Sequence, residues 1–407
     1  MIYQLLIRLL SPVILILILL EATRRKGGWR FFAQRFGWGY DKNATPSSIW
    51  IHCASVGEVK AAEKLIEALL PEHSILVTTN TPTGASLVRN LFGDKVRHAY
   101  CPLDWPSVIQ RFLKVYRPNA LWVMETEIWP NLYRACYRNN IPVSLLNARL
   151  SQKTLNSPSW LKTIYRQTLE GITRVLTRNQ AEADRFRLMG VPANKIHILG
   201  NLKYAGLNAL PSYPDLIGRP YILAASTHDS EELAIVRGWL QMNRPELLVI
   251  VPRHPKRTPK LLKTLAFARE EMVVFSAGEK INQQTRIYLD DQIGVLMPLF
   301  AHAKLVIMGG AFAPKGGHNV LEPASQKAAI LTGPDMSDFE EETELLKTAN
   351  GLVQVDTYDE LFKRLEALLD DETQRKTMGD AAYRLVCSQH HILDDYQTTL
   401  APDLSHS

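Results

Sequence analysis

Short apolar runs alternate with amphipathic helical patterns along most of the chain, and that alternation leaves few folds open. From Ile49 onward the runs Ile49–Cys53, Ile75–Thr78, Ala120–Met124 and Val143–Leu146, with weaker ones at Val175–Thr177 and Ile196–Leu199, are spaced by turns and by helical stretches such as Val59–Leu70 and Thr83–Phe92. Strands and helices in this rhythm build βαβ units around a parallel sheet. The rhythm breaks at Leu207–Pro220, which holds three prolines. It restarts with Tyr221–Ala225, Leu247–Val251, Met272–Phe275, Arg286–Leu289, Leu305–Met308 and Ala329–Thr332. A chain of 407 residues has room for two such domains. The pattern predicts an N-terminal α/β domain over 41–206, a linker over 207–220, a C-terminal α/β domain over 221–372 and a helical tail over 373–407. Two α/β domains facing a cleft would bind ligand at the carboxyl ends of their strands.

Residues 1–40 read differently. The first twenty are almost wholly apolar, and the segment carries six cations (Arg8, Arg24, Arg25, Lys26, Arg30, Arg35) against the single acid Glu21. That is five of the chain's six net positive charges, so the body is nearly neutral and no nucleic-acid partner is expected. A secretory signal places its cations before the apolar run and ends at a cleavage site; here the cluster follows the run. The segment is expected to be a retained anchor on an anionic membrane surface, with the body on the cytoplasmic side. Gln4, Arg8 and Ser11 form one polar stripe, and Arg8 and Pro12 interrupt the run. Such a helix can lie in the interface or span, since spanning needs about 20 apolar residues; burial against the body is the third option. Hydrophobic content of 46% and charged content of 22% exclude wholesale disorder and a multispan membrane protein. Four scattered cysteines (Cys53, Cys101, Cys136, Cys387) suggest neither zinc nor a disulfide framework.

Candidate chemistry sits at strand ends. In the second half, Leu305–Met308 runs into a Gly-rich loop, Gly309–Gly317, and then His318-Asn319-Val320-Leu321-Glu322. Such a loop either cradles a phosphate or makes a tight turn. Ser226-Thr227-His228 and Pro252-Arg253-His254 end two other strands, and Arg supplies a forked, permanent cation for phosphate. Glu322 could accept hydrogen bonds from ribose hydroxyls or be a solvated helix residue. In the first half, Glu58 follows the opening strand, where it is either a helix-dipole partner or a general base. Glu125 and Glu127, two apart after Ala120–Met124, would face the same way if the strand continues. No HExxH, GxSxG, Cys/His cluster or paired D-x-D is present, so neither a metal nor another cofactor is expected.

At these residues the chain resembles the 3-deoxy-D-manno-octulosonic acid (Kdo) transferases of lipopolysaccharide assembly. The matching stretches are HCASVGE (His52–Glu58), TPTG (Thr81–Gly84), METEIWPNL (Met124–Leu132), NARLS (Asn147–Ser151), GNLKY (Gly200–Tyr204), STH (Ser226–His228), VPRHP (Val251–Pro255) and GGHNVLEP (Gly316–Pro323), in family order. The resemblance implies a GT-B glycosyltransferase of two Rossmann-like domains, over 41–206 and 221–372, that inverts without metal, uses CMP-Kdo as donor and the glucosamine disaccharide of the lipid A precursor as acceptor, and is anchored at the cytoplasmic face of the inner membrane. It implies Glu58 as general base and Glu125 as a second essential acid. Pro252-Arg253, Ile293-Gly294-Val295 and Asn319 through Glu322 would hold CMP, with Ser226, His228, His254, Gly316, Gly317 and His318 beside them. Glu127 and Thr83 would face the acceptor. Some members carry arginine where this chain has Thr83, so the cation for the Kdo carboxylate falls to Lys315, Arg149 or Lys203. A sugar-nucleotide 2-epimerase, a transferase with a UDP-sugar donor and a non-enzymatic membrane adaptor are the competing readings. Protein partners are not indicated.

Overall fold

The apolar runs become two fully parallel seven-stranded sheets. The computed structural model describes residues 2–24, 27–41, 46, 48–207 and 211–404. They fall into two units, Met1–Ala205 with His391–Ser407, and Gly206–His390.

The first unit contains β1 (Ile49–His52), β2 (Ile75–Thr79), β3 (Arg97–Tyr100), β4 (Ala120–Met124), β5 (Val143–Ala148), β6 (Arg174–Thr177) and β7 (Ile196–Ile198). Their order is β3-β2-β1-β4-β5-β6-β7. Strands β1, β2, β4 and β5 are buried at every position, as a sheet covered by helices on both faces requires. Trp50, Phe112, Trp122 and Phe186 are among its largest fully buried side chains. The sheet grows one way through β3 and then the other from β4. Its switch point therefore lies between β1 and β4, where parallel α/β sheets open a crevice.

The second unit contains β8 (Tyr221–Thr227), β9 (Leu247–Pro252), β10 (Met272–Val274), β11 (Ile287–Leu289), β12 (Leu305–Met308), β13 (Ile330–Thr332) and β14 (Leu352–Gln354). The order β10-β11-β9-β8-β12-β13-β14 puts its switch point between β8 and β12.

Three segments behave otherwise than the sequence pattern suggests. The basic collar is an integral part of the first unit: Phe31 and Phe36 are buried with Ala85, Tyr100 and Leu103, and the Gln34 carboxamide oxygen accepts the Tyr100 N–H at 3.0 Å. The tail divides. Helix Glu372–Cys387 belongs to the second unit, whereas helix Ile392–Leu400 and Asp403 belong to the first. There Asp403 takes hydrogen bonds from Ser144 at 2.7 Å and Trp122 at 3.2 Å and pairs with Arg174. Of the linker, 208–210 lie outside the described residues; beyond them Arg219 donates to the carbonyls of Pro245, Asn282 and Thr285, tying its end to the second unit.

The apolar amino terminus forms two helices, Ile2–Leu9 and Ser11–Arg24. Pro12 lacks an N–H and clashes with the carbonyl four residues back, which accounts for the break. Among the described residues no helix is long and apolar enough to cross a membrane. Ile18 packs into the first unit and the Tyr3 hydroxyl donates to Asp104 at 2.6 Å. Leu9, Leu10, Val13, Ile16, Leu17, Leu19 and Leu20 remain exposed. Arg25 and Lys26 of the cationic cluster lie outside the described residues.

Candidate active site

Glu58 lies at the first switch point, and local capping chemistry fixes it there. Ser55 ends the turn after β1 and caps helix Val56–Leu69, its Oγ accepting the Glu58 N–H at 3.3 Å. The carboxylate folds back over the same turn: Oε2 accepts the Ala54 N–H at 2.7 Å and Oε1 the Ser55 hydroxyl at 3.0 Å. This is a variant of the Ser-x-x-Glu capping box in which the carboxylate takes the N–H one residue before the cap, and Glu58 is buried to 8% exposure. Burial raises the Glu58 carboxyl from 4.5 to about 8; the Ala54 N–H opposes the rise, and the charges of Glu125 and Glu127 add to it. Burial and neighbouring acids are the means by which a carboxyl is tuned toward neutral pH, as a general base requires.

The other two acids do not face the same way. The strand ends at Met124, and Glu125 takes a left-handed φ of 56°, which cancels the alternation expected from i, i+2 spacing. Its carboxylate lies between Arg149 and Arg178, each at 2.8 Å. Glu127 instead accepts from the Asn80 amide at 3.4 Å, and Arg35 of the collar holds the Asn80 Oδ1 at 2.7 Å. His52 approaches Glu127 to 4.0 Å, but burial drops the imidazole to about 3, so that contact is no ion pair. Thr83 is exposed on the first turn of helix Pro82–Phe92 and donates to Thr81 Oγ1 at 3.2 Å.

In the second unit the strand ends come together as expected, but the Gly-rich loop does not do what its glycines suggested. Glu231, 1% exposed, accepts the N–H groups of His228 and Gly310 at 2.8 Å, Phe312 at 3.0 Å and Ala313 at 3.4 Å. The Gly316 N–H goes to Asp335 at 2.9 Å and the Gly317 N–H to the Gly310 carbonyl at 3.0 Å. These amides are therefore not available to cradle a phosphate. The glycines are needed for close packing instead: a Cβ on Gly309 would come within 2.6 Å of the Ser226 carbonyl.

What faces outward is a histidine and arginine cluster. His228 and His318 share a hydrogen bond between their Nε2 atoms at 2.9 Å with stacked rings, and the His254 ring lies 5.7 Å from His228. Burial, then the charge of Arg253, lowers His318 to about 4; burial likewise lowers His228. Arg253 is exposed just past β9, and Pro252 is the buried last residue of that strand. Ser226 takes a φ of 56° at the bulge that ends β8. Asn319 donates to Glu322 at 3.2 Å and accepts the Leu321 N–H at 3.0 Å. Val320 and Leu321 are 0% exposed and pack inward, and the Leu321 N–H is taken by Asn319. Past β11, Ile293 stands 90% exposed beside Gly294, whose φ is 88°, and Val295 caps the next helix. Of the three candidate cations for a sugar carboxylate, Arg149 is engaged by Glu125, Lys203 lies in the turn Leu202–Tyr204 of the first unit, and Lys315 is exposed in the loop of the second.

Comparison with known proteins then fixes the family. The family model for 3-deoxy-D-manno-octulosonic-acid transferase (kdotransferase) matches residues 30–206. A 3-deoxy-D-manno-octulosonic acid transferase of Haemophilus influenzae is 34% identical, covering 99% of this chain and 98% of its own length. The chain belongs to the 3-deoxy-D-manno-octulosonic acid transferase family. Among solved structures, a putative UDP-N-acetylglucosamine 2-epimerase of Listeria monocytogenes matches with TM-score 0.58 at 15% identity, over 89% of this chain and 98% of that one. A glycosyltransferase of Rickettsia africae gives TM-score 0.57 at 15% identity, over 89% and 100%. At such identity these show the fold alone, which is the two-unit GT-B glycosyltransferase architecture. Sequence kinship decides between the readings that this fold admits, in favour of the Kdo transferase and against the epimerase. Sequence reasoning missed Arg178, Asn80 and Glu231. Arg178 follows β6 as Glu125 follows β4, and strand-end position was the signal that could have found it.

Proposed function

We propose that this protein transfers Kdo from CMP-Kdo to the glucosamine disaccharide of the lipid A precursor, with inversion and without a metal. The observation that carries the reading is Glu58: a buried carboxyl at a sheet switch point that titrates near 8, in a chain of this family. Glu58 takes the proton of the acceptor hydroxyl as its oxygen bonds to the anomeric carbon of Kdo. The bond from that carbon to the phosphate oxygen breaks, and CMP leaves with the electron pair. Arg253, exposed past β9, offsets the charge growing on that phosphate. The His228–His318 pair stays neutral there and supplies hydrogen bonds without adding charge. Glu125, clamped by two arginines, holds β4's end in place beside the base.

The acceptor is a diphosphorylated lipid, and the exposed apolar residues of the first two helices suit the interface of a membrane better than water. We place the protein on the cytoplasmic face of the inner membrane, resting on that surface. Mass spectrometry of products from CMP-Kdo and tetra-acylated lipid A precursor, with and without EDTA, tests the reading. Kdo-bearing product in both arms is expected. Loss of product with EDTA would contradict the mechanism, and no product in either arm would contradict the activity.

A further inference from the structure

Beside the helix that carries Glu58 lies a pocket of about 570 Å³, bordered by Arg30, Thr83, Ser86, Arg89, Asn90 and His98. It is formed within the first unit, where the collar meets helix Pro82–Phe92 and β3. Gly27 sits so close to Pro82 that a Cβ there would come within 2.8 Å of the ring. Among the described residues no aspartate or glutamate lines it. Arg30 donates to the His98 carbonyl at 3.1 Å, and among the described residues neither Arg30 nor Arg89 has a carboxylate partner. Both guanidiniums act on the same spot, since after burial their charges are what hold the His98 imidazole down at about 3. His98 is thus neutral, with its Nε2 bonded to Thr79 at 2.9 Å. The Asn90 amide adds a short polar group at the same wall, where the Thr83 and Ser86 hydroxyls already donate to Thr81 Oγ1 and to the Pro82 carbonyl.

The surroundings of the pocket narrow its ligand. Val56 on its border is 41% exposed and lies two residues before Glu58. Trp29, next to Arg30, is 75% exposed, and the apolar helix Ser11–Arg24 leads into the collar. Two guanidiniums without a carboxylate partner and an amide match a tetrahedral phosphate, and the apolar flank matches an amphiphile. We propose that this pocket binds a phosphate monoester carried by the acceptor amphiphile, with Arg30 and Arg89 as its two charged donors, and so sets which sugar hydroxyl reaches Glu58. The proposal rests on the transferase reading and names the acceptor subsite within it.

The test uses the full chain, two acceptors and two double variants. The acceptors are the phosphorylated glycolipid and the same lipid after phosphatase treatment; the variants are R30A/R89A and R30K/R89K. Acceptor binding without donor and the KM and kcat of transfer are both measured. Each arginine–phosphate contact is worth about 10- to 100-fold, so R30A/R89A should weaken binding of the phosphorylated acceptor by about 100-fold or more, chiefly in KM. The lysine pair should recover part of that loss. On the dephosphorylated acceptor the penalty should shrink to about threefold or less, as a double-mutant cycle requires of a direct contact. An equal loss on both acceptors, or wild-type KM in R30A/R89A, overturns the pocket and leaves the transferase standing. Arginine-dependent binding with no transfer by the wild type overturns the transferase and leaves the pocket standing. Full competition by phosphatidylglycerol vesicles would assign the arginines to bulk lipid and overturn the subsite.

Discussion

Glu58 links activity and stability through one proton, and both can be measured against pH. A carboxyl that titrates near 8 is ionised to about one-tenth at pH 7 and about nine-tenths at pH 9. If Glu58 is the base, kcat/KM should climb with a slope near one below pH 8 and gain about tenfold between pH 7 and 9. Stability should move the other way. The unfolded glutamate ionises near 4.5, so between 4.5 and about 8 the native state binds more protons than the unfolded chain. Folding stability therefore falls as pH rises through that window, at up to about 1.4 kcal/mol per pH unit and about 5 kcal/mol in all as an upper limit. Glu58→Gln keeps the shape and the hydrogen bonds of the protonated acid and removes its titration. Urea melts of both proteins at pH 5, 7 and 9 provide the assay. The variant should be close to wild type at pH 5 and more stable by a few kcal/mol at pH 9, while inactive throughout. Parallel stability curves, or a pH–rate profile already flat at 6, would refute the buried-base argument.

Two further outcomes follow from buried carboxylates elsewhere. Asp403→Ala strands Arg174, whose side chain is 19% exposed, and should destabilise the first unit by about 3–5 kcal/mol in denaturant titration. Glu231→Gln removes the charge that four backbone N–H groups share, and should weaken CMP binding by at least about tenfold in calorimetry while leaving acceptor binding on the first unit in place.

Most strands were legible because apolar runs mark them between turns rich in glycine and proline. Two escaped, β3 and β14, because Arg97–Tyr100 and Leu352–Gln354 are only partly buried and mix polar with apolar residues. The proline-rich break marked the change of unit, but nothing in Ile392–Leu400 says to which unit a terminal amphipathic helix returns. Its address is set by contacts far off in the chain, such as Tyr396 with Asn147 at 3.1 Å. At the site, motif positions were legible and roles less so. Glu231 sits where an acid usually only complements a helix dipole, and its burial is a tertiary fact. The left-handed φ values of Glu125 and Ser226 occur without glycine and left no trace in the sequence.

The central claim is that Glu58 activates the acceptor and does not hold the donor. The direct measurement is single-turnover Kdo transfer by Glu58→Gln beside its CMP affinity, each compared with wild type. The account predicts transfer lowered by at least about a thousandfold, with CMP affinity within about twofold. Appreciable transfer by the variant, or a parallel collapse of CMP binding, would contradict it.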